Sequence, residues 1–448
     1  MSQTIVPPAP GGGPQSAVLT GPAGPGGTTP AIGTLGHRLA SASATIRHYL
    51  DGSPGRLRVV SAVAVLAAVL VALGGGAALR ERSGALDEAK RSAAHLVLVQ
   101  SVQIRLAQAN ADATNSFLGF GRLEPEAQRL DYIDAVRQAS RDLALAASGA
   151  GSDAASLGEA NAALTRYTGY VASARANNRV FLPVGANYLA QANTLLQKQI
   201  VPKLQDSATT DQRNISSAYS RAAHASWWLA LVAVIGLGVL FWAQIYLARH
   251  SRRILNLPLA AATAGLLVAL LVAAGAMATA EYKAKEVRDG SLAEATDLSL
   301  SRVAAFTAKS TEALTLIARG SGTEADQDWN AAMKVAVSKL PKANGDAAKA
   351  LSAYQAEHVA INKSDVAGDW KQAVERAIKS GDTSANALFA TYASQTRTAL
   401  ETQSAATASG LDKAGNLLLP AGMLVLLVGL LAAAGAWWGV SLRLDEYR

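Results

Sequence analysis

Four uncharged hydrophobic runs, at about residues 59–79, 227–248, 257–280 and 417–442, constrain this chain more than any other feature. A helix needs roughly 20 apolar residues to cross the hydrocarbon core of a bilayer, and each run reaches that length. No Asp, Glu, Lys, Arg or His interrupts them. The stretches between them are unequal. Residues 80–226 and 281–416 are long, polar and Ala-rich, whereas residues 249–256 form a short bridge that carries Arg249, Arg252 and Arg253. The order membrane helix, soluble segment, membrane helix is therefore used twice.

Charge asymmetry supplies the orientation. The bridge has arginines and no acid, and Arg47, Arg56 and Arg58 precede the first run. Under the positive-inside tendency both regions face the cytoplasm. The expected layout is a multi-pass plasma-membrane protein with spans at 57–79, 227–248, 257–280 and 417–442. The loop at 249–256 and the C-terminus at 443–448 are then cytoplasmic, and the segments at 80–226 and 281–416 extracytoplasmic. A signal peptide would place its apolar core close to the N-terminus, so the first run is expected to stay attached. Residues 1–35, rich in Pro, Gly, Thr and Ser, hold too little apolar surface to offset the entropy of ordering and read as a disordered cytoplasmic tail. Residues 36–56, with Leu39, Ile46, Tyr49 and Leu50 among Arg38, Arg47 and His48, read either as an amphipathic helix on the inner leaflet or as a flexible lead-in.

Periodicity makes the soluble segments helical. Leu96, Val99, Val102, Leu106, Ala109, Ala113, Phe117 and Phe120 recur at steps of three or four, one stripe down a helix from about residue 80 to 121. Gly119, Gly121 and Pro125 break it; further helices follow at about 131–147 and 154–179, and a last one leads from Gly185 into the second run. Pro202 lies inside that last helix and should kink it. The second segment repeats the plan with a stripe of Val303, Phe306, Ser310, Ala313 and Ile317 and breaks at 320–322, 341–345 and near Gly368. Asp153-Ala154-Ala155 with Tyr167 echoes Asp346-Ala347-Ala348 with Tyr354. The outer helices of each segment are longer than the inner pair. The expected fold is thus an all-α membrane protein with four transmembrane helices and two tandem extracytoplasmic four-helix bundles on two-helix stalks. Adjacent stalks could bury each other.

Composition removes several function classes. The net charge of +8 would matter for nucleic acid if it were clustered, but acids and bases interleave, as in Lys283, Lys285, Glu286, Arg288 and Asp289. No nucleic-acid partner is expected. Without cysteine there is no disulfide, no thiolate nucleophile and no sulfur-ligated metal. The histidines His37, His48, His95, His224, His250 and His358 show no i, i+4 pair, so no metal and no cofactor are expected. Gly119-Phe120-Gly121 lacks the strand of a dinucleotide fingerprint and reads as a helix stop. Lys309 and Ser310, one apart on a helix, do not face each other. An enzyme is not expected, and spans without ionisable groups argue against transport.

The same spans carry Gly435-x-x-x-Gly439 and a seven-residue step from Gly422 to Gly429, which permit close helix contact. Trp227, Trp228, Trp242, Tyr246, Trp437 and Trp438 sit at span ends, where aromatic side chains anchor to the interface. Helix direction brings the turns at 119–125 and 178–185 together at the membrane-distal end of the first segment. Phe120, Arg122, Glu124, Arg179 and Phe181 gather there and suit a partner-docking surface, or else the phenylalanines plug the bundle end. Arg105, Arg166 and Tyr167 are the candidates for a ligand groove between helices. Arg249, Arg252 and Arg253 are the candidates for a cytoplasmic contact.

Leu182-Pro183-Val184-Gly185 leading into Tyr188-Leu189, together with the duplicated span-bundle-span order and the short arginine bridge, resembles the actinobacterial four-span membrane proteins of the GlnX kind over residues 57–448. The bundles themselves resemble the four-helix sensor domains of bacterial chemoreceptors and sensor kinases. The second segment has no obvious copy of the Pro-Val-Gly turn, so the two tips need not be equivalent. The resemblance implies a relay in which an extracytoplasmic solute-binding lipoprotein is read out by a soluble cytoplasmic Ser/Thr kinase. The expected function is therefore a non-enzymatic transmembrane signal transducer responding to a binding protein or a small amino-acid-like ligand. The alternative is a structural scaffold that holds other envelope proteins. The lipid bilayer is a partner in either case, and a homo-oligomer is compatible with both.

Overall fold

The computed structural model describes residues 53–119, 126–149, 151–180, 182–250, 256–319, 323–379 and 381–445. The expected tail at 1–35, and the lead-in at 36–56 up to residue 52, lie outside the described residues. Contacts divide the chain into Met1–Val59 and Val60–Arg448, and the packing below is that of the second unit.

Among the described residues every regular element is a helix. Helix α1, Ser53–Phe117, carries the first apolar run and the arm beyond it without a break. At 1.5 Å per residue its 65 residues extend about 98 Å. Two shorter helices follow, α2 at Glu126–Gly149 and α3 at Ala154–Arg179. Helix α4, Val184–Leu195, passes through a π turn at Leu196–Ile200 into α5, Val201–His250. Helix α6, Leu257–Glu286, passes through a second π turn at Val287–Ser291 into α7, Leu292–Ala318. The remaining helices are α8 at Thr323–Lys339, α9 at Gly345–Val366, α10 at Trp370–Ile378, α11 at Ala385–Gly415 and α12 at Leu418–Asp445.

The first π turn is the form the expected distortion at Pro202 takes. Proline lacks an N–H, and its ring crowds the carbonyl four residues back, that of Lys198. Widening the turn relieves that crowding, and the Val201 N–H bonds Leu196 O instead of a carbonyl one residue nearer. The helix continues through the π turn without breaking. Near Pro420 the chain also stays helical: Asn416 N–H donates to Asp412 O at 3.2 Å and Ala421 N–H to Leu417 O at 3.1 Å. All four long apolar helical stretches, Gly55–Phe117, Val184–Arg249, Leu257–Ala318 and Ala385–Gly439, therefore run on into the polar segments, and each contains a stretch long and apolar enough to cross a membrane.

The second segment departs from the expected repeat by one helix. Gly368 adopts a φ of 82°, which a side chain resists, and turns the chain; Asp369 then caps α10 by accepting from the Gln372 N–H. Contact between the two segments, open at the level of sequence, is extensive. One hydrophobic core contains Val99, Leu106, Phe117, Leu143, Tyr167 and Leu189 of the first and Phe306, Leu316, Trp329, Tyr354, Phe389 and Tyr392 of the second. Nearer the apolar runs, Ala93 and Leu96 of α1, Ile215 of α5, Val287 of the second π turn, Leu292 of α7 and Leu411 of α11 form a second cluster. The arms that would be stalks do bury one another.

Small residues let the apolar runs close up. A β-carbon added at Gly429 of α12 would lie 2.5 Å from Ala72 Cβ and 2.9 Å from Ala72 Cα of α1, so only glycine permits this approach. On another face of α12, Asn256 Nδ2 donates to Gly439 O at 2.9 Å, joining the start of α6. Away from these contacts Leu66, Leu70, Val234, Leu271 and Leu431 are more than half exposed, the pattern of side chains solvated by lipid. Trp227, Trp228, Trp242, Trp437 and Trp438 are exposed at the ends of the runs, as an interfacial belt requires.

Candidate functional site

Phe120, Arg122, Glu124 and Phe181 of the expected docking tip lie outside the described residues, as do Arg252 and Arg253 of the bridge. Arg179 ends α3 and is exposed; Arg249, near the end of α5, is exposed as well. The start of α4 packs against the ends of α1 and α3. A β-carbon at Gly185 would stand 3.0 Å from Ala174 O and 3.1 Å from Phe117 Cζ, so α1, α3 and α4 converge on that glycine. Leu182 N–H closes the turn on Asn177 O at 3.0 Å.

Arg105, Arg166 and Tyr167 do not share a groove. Neighbours on a helix point about 100° apart, and α3 buries Tyr167 completely while Arg166 stays exposed, donating to Gln199 Oε1 at 3.0 Å. Tyr167 instead donates its hydroxyl to Asn110 Oδ1 at 3.4 Å inside the core. Arg105 lines a cavity, and that cavity lies between the two segments.

This cavity has a volume of about 350 Å³ and is lined by Ser101, Arg105 and Gln108 of α1, Gln138 of α2, Arg302 of α7 and Arg397, Leu400, Glu401 and Ser404 of α11. Arg105 donates from Nε to Asp142 Oδ2 at 3.1 Å and from Nη1 to Gln138. Arg302 is 2% exposed. Its Nη1 donates to Ala393 O and, at 2.6 Å, to Thr396 Oγ1, while its Nε finds no acceptor among the described residues. Burial lowers the Arg302 pKa to about 10, with Arg397 and Arg105 pushing the same way and Tyr392 and Glu401 opposing. Arg302 thus feels the charge of both other guanidinium groups.

Gln108 and Arg397 also line a second cavity of about 420 Å³, which continues toward Asp112, Asp131, Lys309 and Phe389. Asp112 is pushed up to about 7 by burial first and by Asp131 second, against a Gln108 hydrogen bond and Arg175. Its Oδ2 has no hydrogen-bond partner among the described residues. The groove therefore has an arginine-rich end and an acidic end, separated on α1 by the seven residues from Arg105 to Asp112, about 10 Å of helix.

Behind this groove lies a buried ionic centre. Glu312 of α7 accepts from Lys309 Nζ at 2.8 Å and from His358 Nδ1 of α9 at 2.6 Å, and all three side chains are buried. The His358 ring stacks on Trp329 at 3.5 Å, and Lys309 Nζ sits 5.0 Å from the Tyr354 ring centre. Lys309 and Ser310 do face different partners, Glu312 and Asn110 respectively. A smaller counterpart joins α1, α2 and α5: His95 shares Asp211 Oδ2 at 2.6 Å through Nδ1 and reaches Ala146 O at 3.0 Å through Nε2. Sequence spacing missed both histidine pairs because their carboxylates come from other helices or from three residues beyond a lysine on a different one. The available signal was charge on an apolar stripe: Arg302 and Lys309 stand one turn from Phe306 and Ala313 respectively.

Residues 85–220 match the family model for the actinobacterial sensor domain. The match begins in α1, takes in α2, α3 and α4, and ends in α5, so it covers the first soluble segment. No curated protein and no solved structure matches the chain at a significant level. The protein is a helical multi-pass membrane protein, and the matched domain supports a sensing or signalling role.

Proposed function

We propose that this protein is a non-enzymatic transmembrane signal transducer of the GlnX kind. An extracytoplasmic solute-binding protein, or a small amino-acid-like ligand, favours one of two packings of the soluble helices. The rods carry the resulting shift to a cytoplasmic partner such as a Ser/Thr kinase. In this reading both termini and the 249–256 bridge are cytoplasmic. Arg249, Arg252 and Arg253 make the inner contact, and Phe120, Arg122, Glu124, Arg179 and Phe181 the outer one. The observation that supports it is the helix from Val184 to Arg249, which leads from inside the matched sensor domain through an apolar run to the edge of the arginine bridge. A helix transmits displacement because its backbone hydrogen bonds resist local compliance.

The test is purification of the intact protein from its native membranes, followed by cross-linking. A transducer should copurify with an outer binding protein and an inner kinase, and its internal cross-links should change when the binding protein is removed. Companions on one side only, with unchanged cross-links, would sink the relay. That second outcome favours the scaffold reading, for which the core shared by the two segments is the supporting observation.

A further inference from the structure

The cavity between α1, α7 and α11 has a charge imbalance that the protein itself does not neutralise. Arg105, Arg302 and Arg397 line it against one acid, Glu401. Arg105 is already engaged by Asp142 from outside the cavity. Arg302 is almost fully buried yet has no carboxylate partner among the described residues: its Nη1 bonds are to a backbone carbonyl and a threonine hydroxyl, and its Nε is unbonded. Arg397 faces the cavity from α11 with no ion pair or hydrogen bond among the described residues. A buried cation without a counter-ion is costly, and an anion placed between the buried Arg302 and the exposed, unpaired Arg397 offsets that cost for Arg302 and gains a second charge-assisted partner.

We infer that this cavity binds a small organic carboxylate, gripped by Arg302 and Arg397, with Arg105 held beside them by Asp142. The guanidinium fork matches carboxylate oxygens in a bidentate manner. Ser404 and Gln108 supply further donors, and Val97, Ile104 and Leu400 make apolar walls that suit a carbon chain better than an inorganic ion. The volume of about 350 Å³ is near the lower limit for small-molecule sites. Because the walls come from α1 on one side and α7 and α11 on the other, an occupant ties the sensor-matched segment to the second segment. The site deepens the transducer reading and rests on it for its purpose alone; binding is measured independently of any signal.

The experiment uses the full-length protein in lipid nanodiscs at constant ionic strength, titrated with acetate, succinate, benzoate, inorganic phosphate and chloride. Calorimetry and thermal unfolding are both read. At least one carboxylate should bind saturably and raise Tm, and Arg397→Glu should weaken it by about tenfold or more. Arg397→Lys should retain part of the affinity. Arg397 is exposed on α11, so its replacement leaves folding intact, and an unchanged melting profile without ligand verifies this. Arg302→Gln gives a second reading wherever the variant folds. The assignment is overturned if no carboxylate saturates, if phosphate saturates while carboxylates do not, or if Arg397→Glu binds like the wild type. None of those results touches the relay, which fails only on the copurification and cross-linking test.

Discussion

Asn110 on α1 donates through Nδ2 to Ser310 Oγ on α7 at 2.6 Å, a buried hydrogen bond between residues 200 positions apart. The same amide reaches Asn193 Oδ1 at 2.9 Å, and its oxygen accepts from Tyr167. One side chain thus joins α1, α3, α4 and α7, and it couples the two segments inside their common core. Asn110→Ala would strand three polar groups in that core and should cost about 2–3 kcal/mol, against about 1 kcal/mol for Ser310→Ala. A double-mutant cycle by denaturant unfolding in one detergent checks the link. Zero coupling between the two positions would mean that the bond contributes nothing.

Acid should loosen the centre around Glu312. Burial pushes its carboxyl up, but Lys309 and the His358 hydrogen bond outweigh burial and hold it at about 2, below its ordinary 4.5. The folded state therefore binds this proton less readily than the unfolded chain. Its contribution is complete above about pH 4.5 and disappears as pH falls toward 2. Glu312→Gln should flatten the stability profile across that window and, by leaving Lys309 buried without its partner, cost roughly 3–5 kcal/mol at pH 7. Unfolding measured from pH 2 to pH 7 would refute this if wild type and variant keep parallel curves.

Asp112 should behave in the opposite sense. Its carboxyl ordinarily titrates at 3.8 but is pushed up to about 7 in the fold, so the native state prefers the protonated form. Ionising it works against folding, increasingly from about pH 4 to pH 7 and to a constant extent above. Asp112→Asn removes that charge and should raise stability by roughly 2–4 kcal/mol at pH 8 while changing little at pH 4. Equal effects at both pH values would show that folding leaves the carboxyl's titration unshifted.

Gly429 should tolerate no side chain. The atoms a β-carbon would meet include Ala72 Cα and N, which are backbone and cannot rotate away. Gly429→Leu should separate α12 from α1 and cost about 1–3 kcal/mol. Ala72→Gly, by clearing one methyl group, should recover part of the loss. Thermal melts of the single and double variants in the same lipid test the contact, and an unaffected Gly429→Leu would remove it.

The stripe from Leu96 to Phe117 was readable before any coordinates: its members are buried along one face of α1. Phe306, Ser310, Ala313 and Ile317 are likewise buried on α7. The glycine step from Gly422 to Gly429 lies against α1, and the tryptophans sit at the ends of the runs. What could not be read was anything that depends on which helix lies opposite. Arg105 was singled out without Arg302 or Arg397, and Tyr167 was assigned to a groove although it points into the core. The extra helix α10 also escaped, because a nine-residue helix between two breaks gives too few turns for a clear period.

By itself, the sequence determined that this chain is helical, that four stretches belong in a bilayer, and which face of each long helix is apolar. Those properties follow from local periodicity and from the transfer of side chains out of water, which each segment expresses alone. Only the tertiary structure decided that Asn110 meets Ser310, that Glu312 meets His358, and that three arginines from separate helices surround one cavity. Such pairings depend on the depth and rotation at which rods lock together, and those are set by the packing of all the helices at once.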